Sequence, residues 1–117
     1  MRYIAMIFGA EIEPSSGDEA DRRELFAQYE KFNNEVRSAG VFLSGEALQP
    51  VETATVVRSM ERGTVVADGP FVDADEPILG FYMLECENLD QAIEWAARIP
   101  HARTGAIEVR PVLDVAE

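Results

Sequence analysis

Two segments constrain this chain more than anything else in it. Tyr3-Ile4-Ala5-Met6-Ile7-Phe8 and the run from Ile78 to Cys86 are apolar at consecutive positions rather than alternate ones. Successive side chains of a strand point to opposite faces, so a sheet with one wet face shows clean alternation. The first run is too short for a helix and is bounded by Gly9, so it reads as a strand buried on both sides. There Tyr3, Ala5 and Ile7 oppose Ile4, Met6 and Phe8; in the second run Leu79, Phe81 and Met83 oppose Ile78, Tyr82 and Leu84. A sheet built on these strands needs cover on both faces.

The other elements follow from periodicity and punctuation. Pro14-Ser15-Ser16-Gly17 is a loop, and Ser16 with Glu19 has capping-box spacing. A helix then runs to about Ala39, with Leu25, Tyr29, Phe32 and Val36 on one stripe and Gly40 as its stop. Val41-Phe42-Leu43 is extended, and Gly45 is expected to interrupt it. Ala54–Ser59 and Thr64-Val65-Val66 form a hairpin about Glu61-Arg62-Gly63. Asp68-Gly69-Pro70-Phe71 is a turn, and Asp73 to Pro77 an acidic loop. Asn88 and Gln91 repeat the capping signature before a second helix, which Pro100 ends and whose buried stripe is expected to be Ala92, Ile93, Ala96 and Ala97. Ile107–Val112 is the last strand, with Arg110-Pro111 pointing to an edge or a strand end. The order β-α-β(hairpin)-β-α-β predicts one α+β domain over residues 1–117, a ferredoxin-like split βαβ with an added hairpin. Two helices cover only one face of such a sheet. A second copy of the chain is the simplest cover for the other, so a homodimer is expected.

Charge narrows the partners. The formal net charge is −12, from 22 acids against 10 bases, and no basic stripe is present. Such a surface repels phosphate backbones and anionic headgroups, so neither nucleic acid nor membrane is an expected partner. The apolar run at Tyr3–Phe8 is shorter than a signal-peptide core, and no apolar stretch approaches the roughly 20 residues that span a bilayer. The single cysteine, Cys86, makes no internal disulfide. A cytoplasmic protein is expected.

Few residues carry recognisable chemistry. Asp68 either braces its turn or presents a carboxylate to a cleft; in the bracing role Gly69 and Pro70 set the backbone and Phe71 plugs the core. Glu76, anchored before Pro77 and a long strand, is a second candidate proton carrier. A carboxylate enclosed by Phe71, Phe81 and Tyr82 would be raised into the neutral range by desolvation. His101 is the only histidine and the only side chain that titrates near neutrality unperturbed, yet spacing names no partner for it. It ranks below the two carboxylates, as a loop residue after the second helix. Asp73, Asp75 and Glu76 lack the further ligands of a calcium loop, and one His with one Cys argues against a transition-metal site, so no metal or other cofactor is expected. Cys86 reads as packing.

Val66-Ala67-Asp68-Gly69-Pro70-Phe71, Gly80-Phe81-Tyr82, the segment Ala92 to Pro100 and the segment Gly105 to Val112 together resemble the DGPF-domain proteins, a branch of the YCII-related family. Gly40-Val41 and Gly45 to Leu48 fit as well, so the likeness covers nearly the whole chain. The resemblance implies a dimeric α/β barrel in which two ferredoxin-like sheets face each other. It implies no settled activity, and it links many such proteins to extracytoplasmic-function sigma factors. Some wider relatives are enzymes on small cyclic compounds, thought to use a His–Asp pair with the histidine on or near the first helix. The helix from Glu19 to Ala39 contains no histidine, so that dyad is not carried over. Three readings follow: a dimeric small-ligand-binding or regulatory protein, a cofactor-independent isomerase, lyase or dehydrochlorinase acting through Asp68, Glu76 or His101, and a purely structural interaction domain.

Overall fold

The computed structural model describes residues 1–11 and 19–115. The chain runs β1 (Arg2–Phe8), α1 (Glu19–Ser38), β2 (Phe42–Ala47), β3 (Thr55–Met60), β4 (Gly63–Asp68), β5 (Ile78–Glu85), α2 (Leu89–Ala97) and β6 (Ala106–Pro111), with 3-10 turns at Val51–Thr53 and Pro100–Ala102. β2, β5, β1 and β6 form an antiparallel four-stranded sheet in that order, and β3 pairs only with β4. This is a mixed α+β architecture whose sheet stays open, with β2 and β6 as its edges. The Pro14–Gly17 loop and the Ser16 cap expected from sequence lie outside the described residues. No helix among the described residues is long and apolar enough to cross a membrane.

Both helix boundaries have local causes. Glu19 and Asp21 stand in the first turn of α1 and Arg37 in its last, each complementing the helix dipole. Gly40 takes a φ of 74° and closes the helix, its N–H bonding the Arg37 carbonyl while Val41 N–H reaches the Val36 carbonyl. Asn88 caps α2 by accepting from Gln91 N–H at 2.9 Å. The Gln91 side chain in turn accepts from Glu87 N–H, one residue earlier than the capping-box pattern places it.

The core lies on one face of the sheet. Tyr3, Ala5 and Ile7 on β1 and Tyr82 and Leu84 on β5 are buried against Phe32 and Val36 of α1. Phe32 stands edge-on to both Tyr82 and Trp95, at 5.1 and 6.2 Å between ring centroids, so one aromatic joins both helices to the sheet. Ala92 and Ala96 are the buried residues of α2. Ile93 and Ala97, expected beside them, are exposed, Ile93 by 49%. The inward side of α2 is instead completed by half-buried Trp95 and, beyond the helix, fully buried Ile99.

The opposite face carries the second apolar set. Register places Ile4 beside Met83, Met6 beside Phe81 and Phe8 beside Ile78. All but Ile78 are half-buried, and Ile78 is exposed. Polar residues flank this stripe: Ser44 and Glu46 on β2, Glu108 and Arg110 on β6, the last two paired at 2.6 Å. Gly45 does not interrupt β2. The strand passes through it, and the irregularity falls at Leu43, left out of register between Phe42 and Ser44.

The hairpin of β3 and β4 stands apart from the sheet. Its two-residue loop, Glu61-Arg62, is closed by the Met60–Gly63 pair. Val57 and Val66 face each other on one side of the ribbon, 63% and 61% exposed. The molecule measures 49 × 48 × 18 Å, flat because this ribbon extends it sideways.

Candidate functional site

A cleft of about 470 Å³ opens between α1 and the β2–β5 side of the sheet. Glycine makes the room. A Cβ at Gly45 would meet Tyr82 Cδ1 at 2.9 Å, and one at Gly80 would meet the Glu46 carbonyl at 2.6 Å, so both positions stay bare and leave a hollow floor. Leu25, Phe26, Phe42 and Leu79 supply apolar lining. Among the described residues the polar side chains of the lining are Arg22, Tyr29, Asn33 and Arg37 from α1, Tyr82 from β5, and His101.

Two hydrogen-bonded pairs organise that polar lining. Tyr29 Oη lies 2.5 Å from His101 Nδ1, with the rings 5.6 Å apart. Tyr82 Oη donates to Asn33 Oδ1, also at 2.5 Å. Burial pushes the Tyr82 phenol up to about 12, against the pull of the Arg37 charge. Burial raises Tyr29 further, reinforced by Tyr82 and opposed by a hydrogen bond from the His101 backbone. Burial also holds the His101 imidazole below its ordinary value. At neutral pH the Tyr29–His101 pair is therefore uncharged on both sides. If Tyr29 donates to Nδ1, Nε2 carries the ring proton; if Nδ1 donates, Nε2 is a base and the phenol proton is free to be given. Such a pair can accept one proton and release another without building net charge.

The residues singled out from sequence do not assemble as expected. Tyr82 and His101 line the cleft, and so does the backbone of Phe81, whose ring register turns to the outer face beside Met6. Asp68 and Glu76 do not; both are exposed. Among the described residues nothing hydrogen-bonds the Asp68 carboxylate, although its turn is held by Gly69 N–H on the Ala54 carbonyl at 2.8 Å. Gly69 takes a φ of 98°, which only glycine adopts easily. Phe71 plugs no core: it is 71% exposed, with the Arg58 guanidinium 5.0 Å from its ring centre. It lines a separate depression with Glu76, Phe8 and Ile78. The enclosure of a carboxylate by Phe71, Phe81 and Tyr82 is thus absent, because the turn sits at the base of the projecting hairpin. His101, read as a loop residue without a partner, is half-buried and held by a residue 72 positions away.

Sequence reasoning missed Tyr29, Asn33 and Arg37 as site residues. Their spacing of four was the available signal, since it sets polar groups in a row beside the apolar stripe. Cys86 is buried, and burial pushes its thiol up, away from the thiolate a nucleophile needs.

The model of the YCII-related domain matches residues 1–116. An uncharacterized protein of Rhizobium meliloti (strain 1021) is 29% identical over 114 residues, covering 96% of this chain and 92% of its own. The match spans both helices, all six strands and the cleft between them. The chain belongs to the YCII-related family.

Proposed function

We propose that this chain is a cytoplasmic, homodimeric ligand-binding protein, and that the cleft under α1 takes a small, mostly apolar organic molecule. The observation that carries this is the cleft itself: about 470 Å³, apolar over most of its wall, with two hydrogen-bonded polar pairs converging in it. Binding sites for small molecules have this size and this mixture. The dimer part rests on the apolar stripe of Ile4, Met6, Phe8, Phe81 and Met83 with polar flanks, the pattern of a self-complementary interface. Face-to-face pairing of two ferredoxin-like sheets would complete the dimeric α/β barrel that the family resemblance implies. A regulatory role beside a sigma factor rests on that resemblance alone. The test is amide-resolved NMR of the whole chain with a panel of small aromatic and alicyclic compounds. Shifts gathered at Tyr29, Gly45, Gly80 and His101 are expected; a panel that moves no cleft signal overturns the reading.

The contact between Tyr29 and His101 favours a second reading, cofactor-independent acid–base catalysis on a small cyclic compound. Its proton carriers would be Tyr29 and His101 rather than the exposed Asp68 and Glu76. Isomerase and dehydrochlorinase assays on the same panel test it: turnover should vanish in His101→Ala and survive in Asp68→Asn.

A further inference from the structure

We propose that the occupant of the cleft is a ring compound bearing a carboxylate, its acid group held by Arg37 and Asn33 and its ring against Phe42 and Phe26. This rests on the reading of the cleft as a ligand site and adds the class of ligand.

Hydrogen-bond capacity carries the argument. Tyr82 Oη occupies one lone pair of the Asn33 carbonyl oxygen, and both N–H groups of that amide stay available as donors to the cleft. Arg37 offers five N–H donors and no acceptor. Its guanidinium lies 4.4 Å from the Phe42 ring centre, and stacking of this kind leaves the planar edge of the fork open for a carboxylate. Among the described residues no ion pair engages Arg37. This end of the cleft is therefore rich in donors and calls for an acceptor-rich group.

Charge agrees. In a chain with 22 acids and 10 bases, the described lining of the cleft holds two arginines, Arg22 and Arg37, while register turns the side chain of its described acid, Glu46, to the outer face beside Phe81. Spacing fixes the size. Tyr29, Asn33 and Arg37 follow one another at intervals of four on α1, so at about 1.5 Å per residue they span roughly 12 Å along the helix. An aromatic acid of two fused rings bridges that length. Its far edge then meets the Tyr29–His101 pair.

The experiment titrates the intact chain with 2-naphthoate, with its neutral counterpart 2-naphthamide and with inorganic phosphate, by calorimetry and by NMR. The expected result is naphthoate binding at least tenfold tighter than naphthamide. Arg37→Gln should erase that preference by weakening naphthoate far more than naphthamide, and Arg37→Lys should restore only part of it. Circular dichroism checks that the variants fold, and substitution of this exposed residue near the end of α1 leaves the core untouched. Equal affinity for the two naphthalenes overturns the carboxylate inference and leaves the ligand-site reading standing. Phosphate binding as tight as naphthoate overturns the ring. Silence of the cleft signals toward all three probes takes down the ligand-site reading as well.

Discussion

Replacing Gly80 with alanine should loosen the edge of the sheet and deform the cleft together. A Cβ there would stand 2.6 Å from the Glu46 carbonyl and 3.2 Å from Ala47 Cα, both backbone atoms that no rotamer change can move. Ordinary van der Waals contact begins at 3.4 Å, so β2 must retreat by about 0.8 Å. That stretches the bond from Leu48 N–H to the Leu79 carbonyl, now 2.9 Å, out of hydrogen-bonding range. Overpacking of this kind costs about 1–3 kcal/mol, and each lost ladder bond about 1 kcal/mol. The total, roughly 2–4 kcal/mol, is a large share of the ~5–15 kcal/mol that holds a domain of this size. With a urea slope near 1.5 kcal/mol/M, the unfolding midpoint falls by about 1.3–2.7 M. The measurement is urea unfolding at one fixed protein concentration, because association would otherwise shift the midpoint. Ser44→Ala, exposed on the neighbouring strand β2, is the control and should move stability by no more than about 0.5 kcal/mol. A midpoint for Gly80→Ala within about 0.3 M of the parent would refute the tight approach of β2 to β5 and with it the account of the cleft floor.

His101 is the single histidine, so its ring gives one titrating NMR signal, expected below its ordinary 6.5 because burial disfavours the charged ring. The unfolded chain then binds the extra proton: this contribution to stability is complete above pH 6.5 and is lost as pH falls through the folded value, so His101→Gln should flatten that part of the acid limb, whereas a titration at or above 6.5 contradicts the burial argument. Met6→Glu puts a carboxylate in the middle of the outer apolar stripe; light scattering should give twice the chain mass for the parent and one chain mass for the variant, and a monomeric parent ends the dimer proposal. Tyr82→Phe removes the hydroxyl from Asn33 and should cost about 1 kcal/mol, with a double-mutant cycle against Asn33→Ala returning about 0.5–1.5 kcal/mol of coupling. A coupling near zero would show that the pair is not formed in solution.

Much of the fold was readable because its signals are local. The doubly apolar runs give β1 and β5, Gly40 stops α1, Asn88 caps α2, and Glu61-Arg62-Gly63 turns the hairpin. The errors come where two physical meanings share one residue type. Gly45 reads as a break, but its bareness serves the close approach of the Tyr82 ring. Phe71 reads as core because aromatic rings prefer burial, yet that preference names no partner, and here the ring meets Arg58 near the surface. The pattern of α2 points Ile93 and Ala97 inward, but the helix is too short for periodicity to fix its rotation; the packing of Ala92, Trp95 and Ala96 decides it. The cleft was the least legible. Asp68 and Glu76 stood out by chemistry alone, while Tyr29 and His101 meet only once α1 and the Pro100–Ala102 turn are brought together across 72 residues.

The two edges of the sheet differ in sequence but share a consequence. On β2 the displaced Leu43 breaks the regular comb of donors and acceptors; on β6 Pro111 has no N–H to offer, and Glu108 and Arg110 add charge beside it. Another strand laid along either side would find an incomplete template. Growth of the sheet by lateral recruitment, the route that ends in fibres, is therefore discouraged at both ends. What remains on this sheet is its broad outer face, and the proposed two-fold contact would use it up in one event. The same irregularities that make these edges poor partners would thus keep association through this sheet finite.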